Sequence, residues 1–140
     1  MIGRLLVLLL TITLPAGLAN AAEWTGWRGP NGDARVDSGH LPTSWAAGKN
    51  VVWKTKTPGP GTSCPLVVGE RVYVTCYTGY GLAAGQGDQK QLQRHLLCLD
   101  RKSGDVLWTR MFEPKLPEHK YAGEGAYHGY AASTPATDGK

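Results

Sequence analysis

The sequence predicts an all-β fold assembled from repeated strand units, and three observations carry the prediction. The first is the segment Leu97–Trp108, LCLDRKSGDVLW, in which two apolar runs flank an Asp-x-x-x-Gly turn. Asp100 can accept hydrogen bonds from backbone N–H groups two and three residues on, and Gly104 can take the left-handed angle of a bulged hairpin loop. The second is internal repetition. Ser63, Pro65 and Gly69 recur as Ser133, Pro135 and Gly139 at an offset of 70, and Val51-Val52-Trp53 recurs as Val106-Leu107-Trp108 at an offset of 55. The third is a pair of unbroken apolar runs, Leu66-Val67-Val68 and Leu96-Leu97-Cys98-Leu99, with no sustained helical period nearby. A sheet open to water alternates apolar and polar residues, so these runs predict strands covered on both faces.

The elements follow in chain order. Residues 1–21 hold a basic Arg4, an apolar core Leu5–Leu14, the breakers Pro15 and Gly17, and a small-x-small end at Ala19-Asn20-Ala21. The core is shorter than the roughly 20 residues a bilayer span needs. These residues read as a secretory signal peptide cut after Ala21, with an uncleaved anchor as the alternative. The protein is therefore expected to be exported, periplasmic or extracellular, with no membrane span. Residues 22–50 form an irregular Trp-rich entry segment, where Trp24, Trp27 and Trp45 flank the turn-rich Arg28–Asp33. Residues 51–140 supply strands at Val51–Thr55, Cys64–Val68, Arg71–Tyr77, Arg94–Asp100 and Val106–Met111. Gly69-Glu70 suits a two-residue type II′ turn and Asp138-Gly139 a type I′ turn. Thr78–Gln93 and Phe112–Ala132 are long connections, which lengthen the repeat at little cost in stability.

The hairpin also follows the pattern A-L-D-x-x-T-G-x-x-x-W. Leu99, Asp100, Gly104 and Trp108 match it, while Ser103 stands for Thr and Cys98 for Ala. A longer string runs from Trp24 to Thr55: W-x-x-W-R-G-P-N-G-D, then L-P-x-x-W, then N-V-x-W-K-T. On these residues the chain resembles secreted bacterial β-propellers with quinoprotein-like repeats. The resemblance implies a quinoprotein alcohol dehydrogenase-like β-propeller. Residues 51–140 would hold a closing strand, one complete four-stranded blade and the first strand of the next. It implies structural roles for Trp53, Pro65, Gly69, Asp100, Gly104, Trp108, Ser133, Pro135 and Gly139, with the repeated tryptophan wedged between blades. A repeat array needs about three units for stability, so the chain is expected to be the start of a longer propeller. A self-contained small domain is the alternative.

For function, the resemblance implies an exported non-catalytic scaffold that carries no cofactor in this stretch, as in the propeller of the outer-membrane assembly machinery. Its partners would be the remaining blades and another protein. The alternative is a quinoprotein dehydrogenase oxidising an alcohol or aldose with pyrroloquinoline quinone and calcium. No adjacent cysteine pair occurs, and no residue matches that family's catalytic Asp or calcium ligands, so such residues would lie outside this stretch. Other propeller uses, such as binding or cleaving glycans, complete the alternatives.

Composition narrows the chemistry. The net charge is +4 with Lys and Arg scattered, which gives no basic run for nucleic acid. The three cysteines Cys64, Cys76 and Cys98 match no zinc spacing. Cys76 and Cys98 could bridge neighbouring strands if the register allows, or all three could be small core residues. Gly79-Tyr80-Gly81 with Gly85 and Gly87 is one residue too long for a dinucleotide fingerprint and reads as an inserted loop. His119, His128, Glu118, Glu124, Tyr121, Tyr127 and Tyr130 form the most polar stretch. Its glycines and wide spacing fit a solvated or partner-binding loop better than a metal site. Asn31, Asp33 and Asp37 lack the EF-hand pattern, and His40 and His95 stand alone as non-ligands. No nucleophile elbow or paired-carboxylate motif is present, and no residue is assigned to catalysis.

Overall fold

The computed structural model describes residues 23–36 and 41–138. The signal-peptide reading, Asp37, His40, and Gly139 with its turn lie outside the described residues. Regular structure is mostly strand. β1 (Leu66–Val68), β2 (Arg71–Thr78), β3 (Gln93–Asp100) and β4 (Val106–Phe112) form one antiparallel sheet in the order β1-β2-β3-β4. Among the described residues a 3-10 turn at Gln89–Gln91 and a five-residue helix α1 (Glu124–His128) are the remaining regular elements. Among the described residues no helix is long and apolar enough to cross a membrane.

Local chemistry sets the strand ends. Val68 pairs with Arg71, so Gly69 and Glu70 form the two-residue loop, and Gly69 takes φ 54° at its first position as a type II′ turn requires. At the other hairpin, Leu99 pairs with Val106 beside a bulge at Cys98/Leu99. There the Asp100 N–H donates to the Asp105 carbonyl at 2.8 Å and the Gly104 N–H to the Asp100 carbonyl at 2.9 Å.

Two expected strands are absent, and one is shorter. Val51–Thr55 has no ladder partner, because the described residues before it form turns and isolated bridges only. Residues 133–138 likewise carry no strand. Cys64 and Pro65 fall outside β1. Proline has no N–H to give the ladder, and the Cys64 N–H goes to Thr134 Oγ1 at 3.1 Å.

Pleating divides the sheet into two faces. Val72, Val74 and Cys76 of β2 oppose Leu99, Leu97 and His95 of β3 on one face. Val72, Cys76, Leu97 and Leu99 are its buried core, with Trp53 and Val67 packed against it. On the other face Leu66, Tyr73, Cys98 and Trp108 run in one row across all four strands. Residues Pro135–Thr137 lie against that row and Leu96. β1, β2 and β3 are thus covered on one face by the segment before β1 and on the other by the segment after α1, while β4 is exposed along its length. Cys76 and Cys98 therefore sit on opposite faces and cannot bridge; all three cysteines are free thiols.

Candidate functional site

The turn residues come first, because they place everything at that end of the sheet. Asp100 Oδ1 accepts the N–H groups of Lys102 at 2.8 Å and Ser103 at 2.9 Å. The Ser103 and Lys102 amides, helped by Arg71 nearby, hold its carboxyl below the usual aspartate range. Gly104, at φ 76°, lies directly under the Trp53 indole, where a Cβ would stand 2.5 Å from the ring. The Trp53 indole N–H donates to the Arg101 carbonyl at 2.8 Å, and Thr55 Oγ1 donates to the Gly104 carbonyl at 2.6 Å. Asp100, Gly104 and Trp53 are therefore brought together as one packing unit.

Trp108 differs. It is 41% exposed and touches Tyr73 at 5.9 Å between ring centroids. The expectation of burial fails because no described segment covers its end of that face. Pro65 and Gly69 flank β1, and Ser133 and Pro135 lie over the second face. Repeat-equivalent positions meet directly: Cys64 and Thr134, 70 residues apart, share the hydrogen bond given above. Thr62 N–H donates to the Ala131 carbonyl at 3.1 Å beside it. On the free edge of β1, Trp24 exchanges two backbone hydrogen bonds with Val67 and gives its indole N–H to Cys64 Sγ at 3.3 Å.

The densest polar arrangement lies at the opposite end of the sheet. Arg94 of β3 grips Glu118 with both guanidinium NH2 groups, each at 2.8 Å. Its Nε–H donates to the Tyr130 carbonyl at 3.0 Å, and its plane lies over the Tyr130 ring. Glu118 also accepts the Lys115 N–H at 3.1 Å. The Arg94 contact holds the Glu118 carboxyl below the usual glutamate range, and the same contact raises Arg94. Tyr130 is buried at the centre of an aromatic group. His119 stacks on it at 4.4 Å, and Tyr77, Tyr80 and Tyr121 surround it at 5.5 to 6.3 Å. Burial, then the neighbouring Tyr80, pushes the Tyr130 phenol well above the usual tyrosine value, so it stays protonated and donates to the His119 carbonyl at 2.7 Å. Gln89 joins the two long connections by donating to the Glu118 carbonyl at 2.8 Å.

This platform opens on a shallow cleft of about 540 Å³ lined by Tyr80, Asp88, Gln89, Lys120 and Tyr121. Tyr127 of α1 is 77% exposed. The stretch from Glu118 to Tyr130 was legible as polar, but its grip on Arg94 was not. The partners lie 24 and 36 residues apart, and no local spacing records such a pairing. Among the described residues, no three His, Cys, Asp or Glu side chains gather to hold a metal ion. Asp33 uses its carboxylate in a local turn to the Arg35 N–H at 3.1 Å. The chain matches no protein-family model, no curated protein and no solved structure.

Proposed function

We propose that this chain contributes the opening blade of an exported, non-catalytic β-propeller scaffold, and that the Arg94–Glu118–Tyr130 platform is its partner-binding surface. The observation that carries the reading is the cover of β1, β2 and β3 on both faces, in a four-stranded meander whose outer strand β4 is exposed. One face is packed by the Trp53 segment that precedes it, and the other by a segment whose Ser-x-Pro residues repeat those of β1 70 positions earlier. Sheets stacked face to face by successive repeats are what a repeat array requires. The residues that meet at these contacts are packing and turn residues, and none is arranged for group transfer. The platform differs in kind, since it presents tyrosines on a braced loop, and tyrosine is enriched at protein interfaces.

The test places a photo-crosslinking residue at Tyr127 and, as a control, at Lys102 at the far end of the sheet, in the producing cell. A discrete protein adduct is expected from Tyr127, lost with Glu118→Ala and absent from Lys102. Reconstitution with pyrroloquinoline quinone and calcium is expected to give no dye reduction on a panel of alcohols and aldoses. Substrate-dependent dye reduction would overturn the scaffold reading in favour of a dehydrogenase.

A further inference from the structure

Among the described residues β4 pairs only with β3, so its outer side carries backbone N–H and C=O groups that belong to no ladder. Every residue from Val106 to Phe112 is exposed. An open groove of about 570 Å³ is bordered by Trp108, Thr109, Arg110 and Met111. Consecutive strand residues point alternately to the two faces, so a groove that touches all four follows the strand's edge. The chemistry of β4, V-L-W-T-R-M-F, is nearly symmetric about its middle. Thr109 stands at the centre. Trp108 and Arg110 flank it, then Leu107 and Met111, then Val106 and Phe112. Trp108 lies opposite Cys98 and Arg110 opposite Leu96, which puts both on the second face. Among the described residues Arg110 makes no ion pair. An exposed indole and an unpaired cation thus sit side by side on a free edge.

We infer that the outer side of β4 is a contact between two copies of this chain, paired antiparallel about a two-fold axis at Thr109. The side chains select the register. Paired residues share a face, so a two-fold axis through the pairing falls on a residue. An axis at Arg110 would set two guanidinium groups directly opposite each other, and like charges in that position are destabilising. An axis at Trp108 would set Val106 against Arg110 and Asp105 against Met111, leaving both charges against apolar partners. An axis at Thr109 sets Trp108 of each copy against Arg110 of the other, where the guanidinium can lie over the indole, and this happens twice. It also sets Leu107 against Met111 twice. The pairing has natural ends. Leu107 is the extra residue of the bulge, where the regular ladder stops. Asp105 is turned into its own hairpin, where its carboxylate accepts the Ser103 hydroxyl at 2.7 Å. Two seven-residue strands give a contact about 24 Å long, which is small for a specific interface. The dimer is therefore expected to dissociate in the micromolar range, and the two-fold axis closes it at two copies. The inference uses only β4 and its register and does not depend on the scaffold reading.

Sedimentation of the full chain is expected to show a monomer–dimer equilibrium. Arg110→Glu, which sets a carboxylate against each indole, should weaken the dimer about ten-fold, while Arg110→Lys should keep most of it. Cross-linking reads the register directly, in a Cys64→Ser background with a short bis-maleimide. Thr109→Cys should link to itself, because the two thiols face each other across the axis. Leu107→Cys and Met111→Cys should not link alone, since each would lie about 14 Å from its own copy. An equal mixture of those two variants should link. All of these positions are exposed, so the substitutions leave the core intact. A monomer throughout the micromolar range, open-ended oligomers in place of a dimer, or an affinity unchanged by Arg110→Glu would overturn the contact. Self-linking of Leu107→Cys or Met111→Cys as strong as that of Thr109→Cys would overturn it as well.

Discussion

Glu118 shows how much one side chain can organise here. Its carboxylate is mostly shielded, accepts three hydrogen bonds, and ties the long connection Phe112–Ala132 to the sheet through Arg94. Glu118→Gln keeps the shape and removes the charge. Because about a third of the Arg94 side chain remains in water, the expected cost is modest, about 1–2 kcal/mol. It should appear as faster proteolysis between Lys115 and Tyr127 with β2 and β3 still protected. The pH dependence has a definite sign. The Glu118 carboxyl is depressed in the folded state, so its contribution is fully present above the unfolded value of about 4.3 and is lost as pH falls below that. The wild-type loop should loosen on acidification through that range, whereas Glu118→Gln should be loose at neutral pH and show little of that step. Gly104 is the second such position. An alanine there would meet both a positive φ and the Trp53 ring, so Gly104→Ala should cost about 2–4 kcal/mol. Amide exchange in the Asp100–Val106 hairpin, at least about 30-fold faster, would register it.

At the scale of elements, the two repeated tryptophans have unequal duties. Trp53 is partly buried, hydrogen-bonded and seated on the core, while Trp108 lies on the exposed strand β4. Trp53→Ala should therefore destabilise the sheet by about 3 kcal/mol and Trp108→Ala by appreciably less, about 1–2 kcal/mol. Protection of the β2 and β3 amides in the two variants checks the order, and a larger effect at Trp108 would mean that the outer row is covered in solution. The same contrast shows what was legible beforehand. The Asp100–Gly104 turn, the Gly69 turn and the two-sided apolar strands were all readable, since each depends on neighbours within a few residues. Val51–Thr55 misled because β-branched residues beside tryptophan describe a strand's side chains and not the partner its backbone needs. Arg94, Glu118 and Tyr130 were readable only as polar or aromatic positions. Distances of this kind along the chain are settled by register and loop path, which local patterns do not encode.

For the whole molecule, the imbalance between its two edges matters most. β1 is short and partly capped by Trp24, whereas β4 leaves Val106, Leu107, Trp108, Met111 and Phe112 exposed along an outer edge. An apolar edge strand invites pairing with another chain. Residues 22–140 alone should self-associate at micromolar concentration and bind an apolar dye. A Leu107→Lys substitution, which places a charge on that edge, should shift sedimentation toward monomer; unchanged association would locate the contact elsewhere. The cover of the sheet also has a temporal consequence. Its strands follow one another in a meander, so neighbouring strands can find each other early. The contacts that cover it join residues 48, 49 and 70 positions apart and must await closure of long loops. During synthesis the meander can therefore exist for an interval with one face packed and the other bare. Trp53 has already emerged when Gly104 does, but Thr134 and Pro135 arrive later than both. The second face, with Leu66, Tyr73 and Cys98, is where a nascent chain of this protein most needs a chaperone.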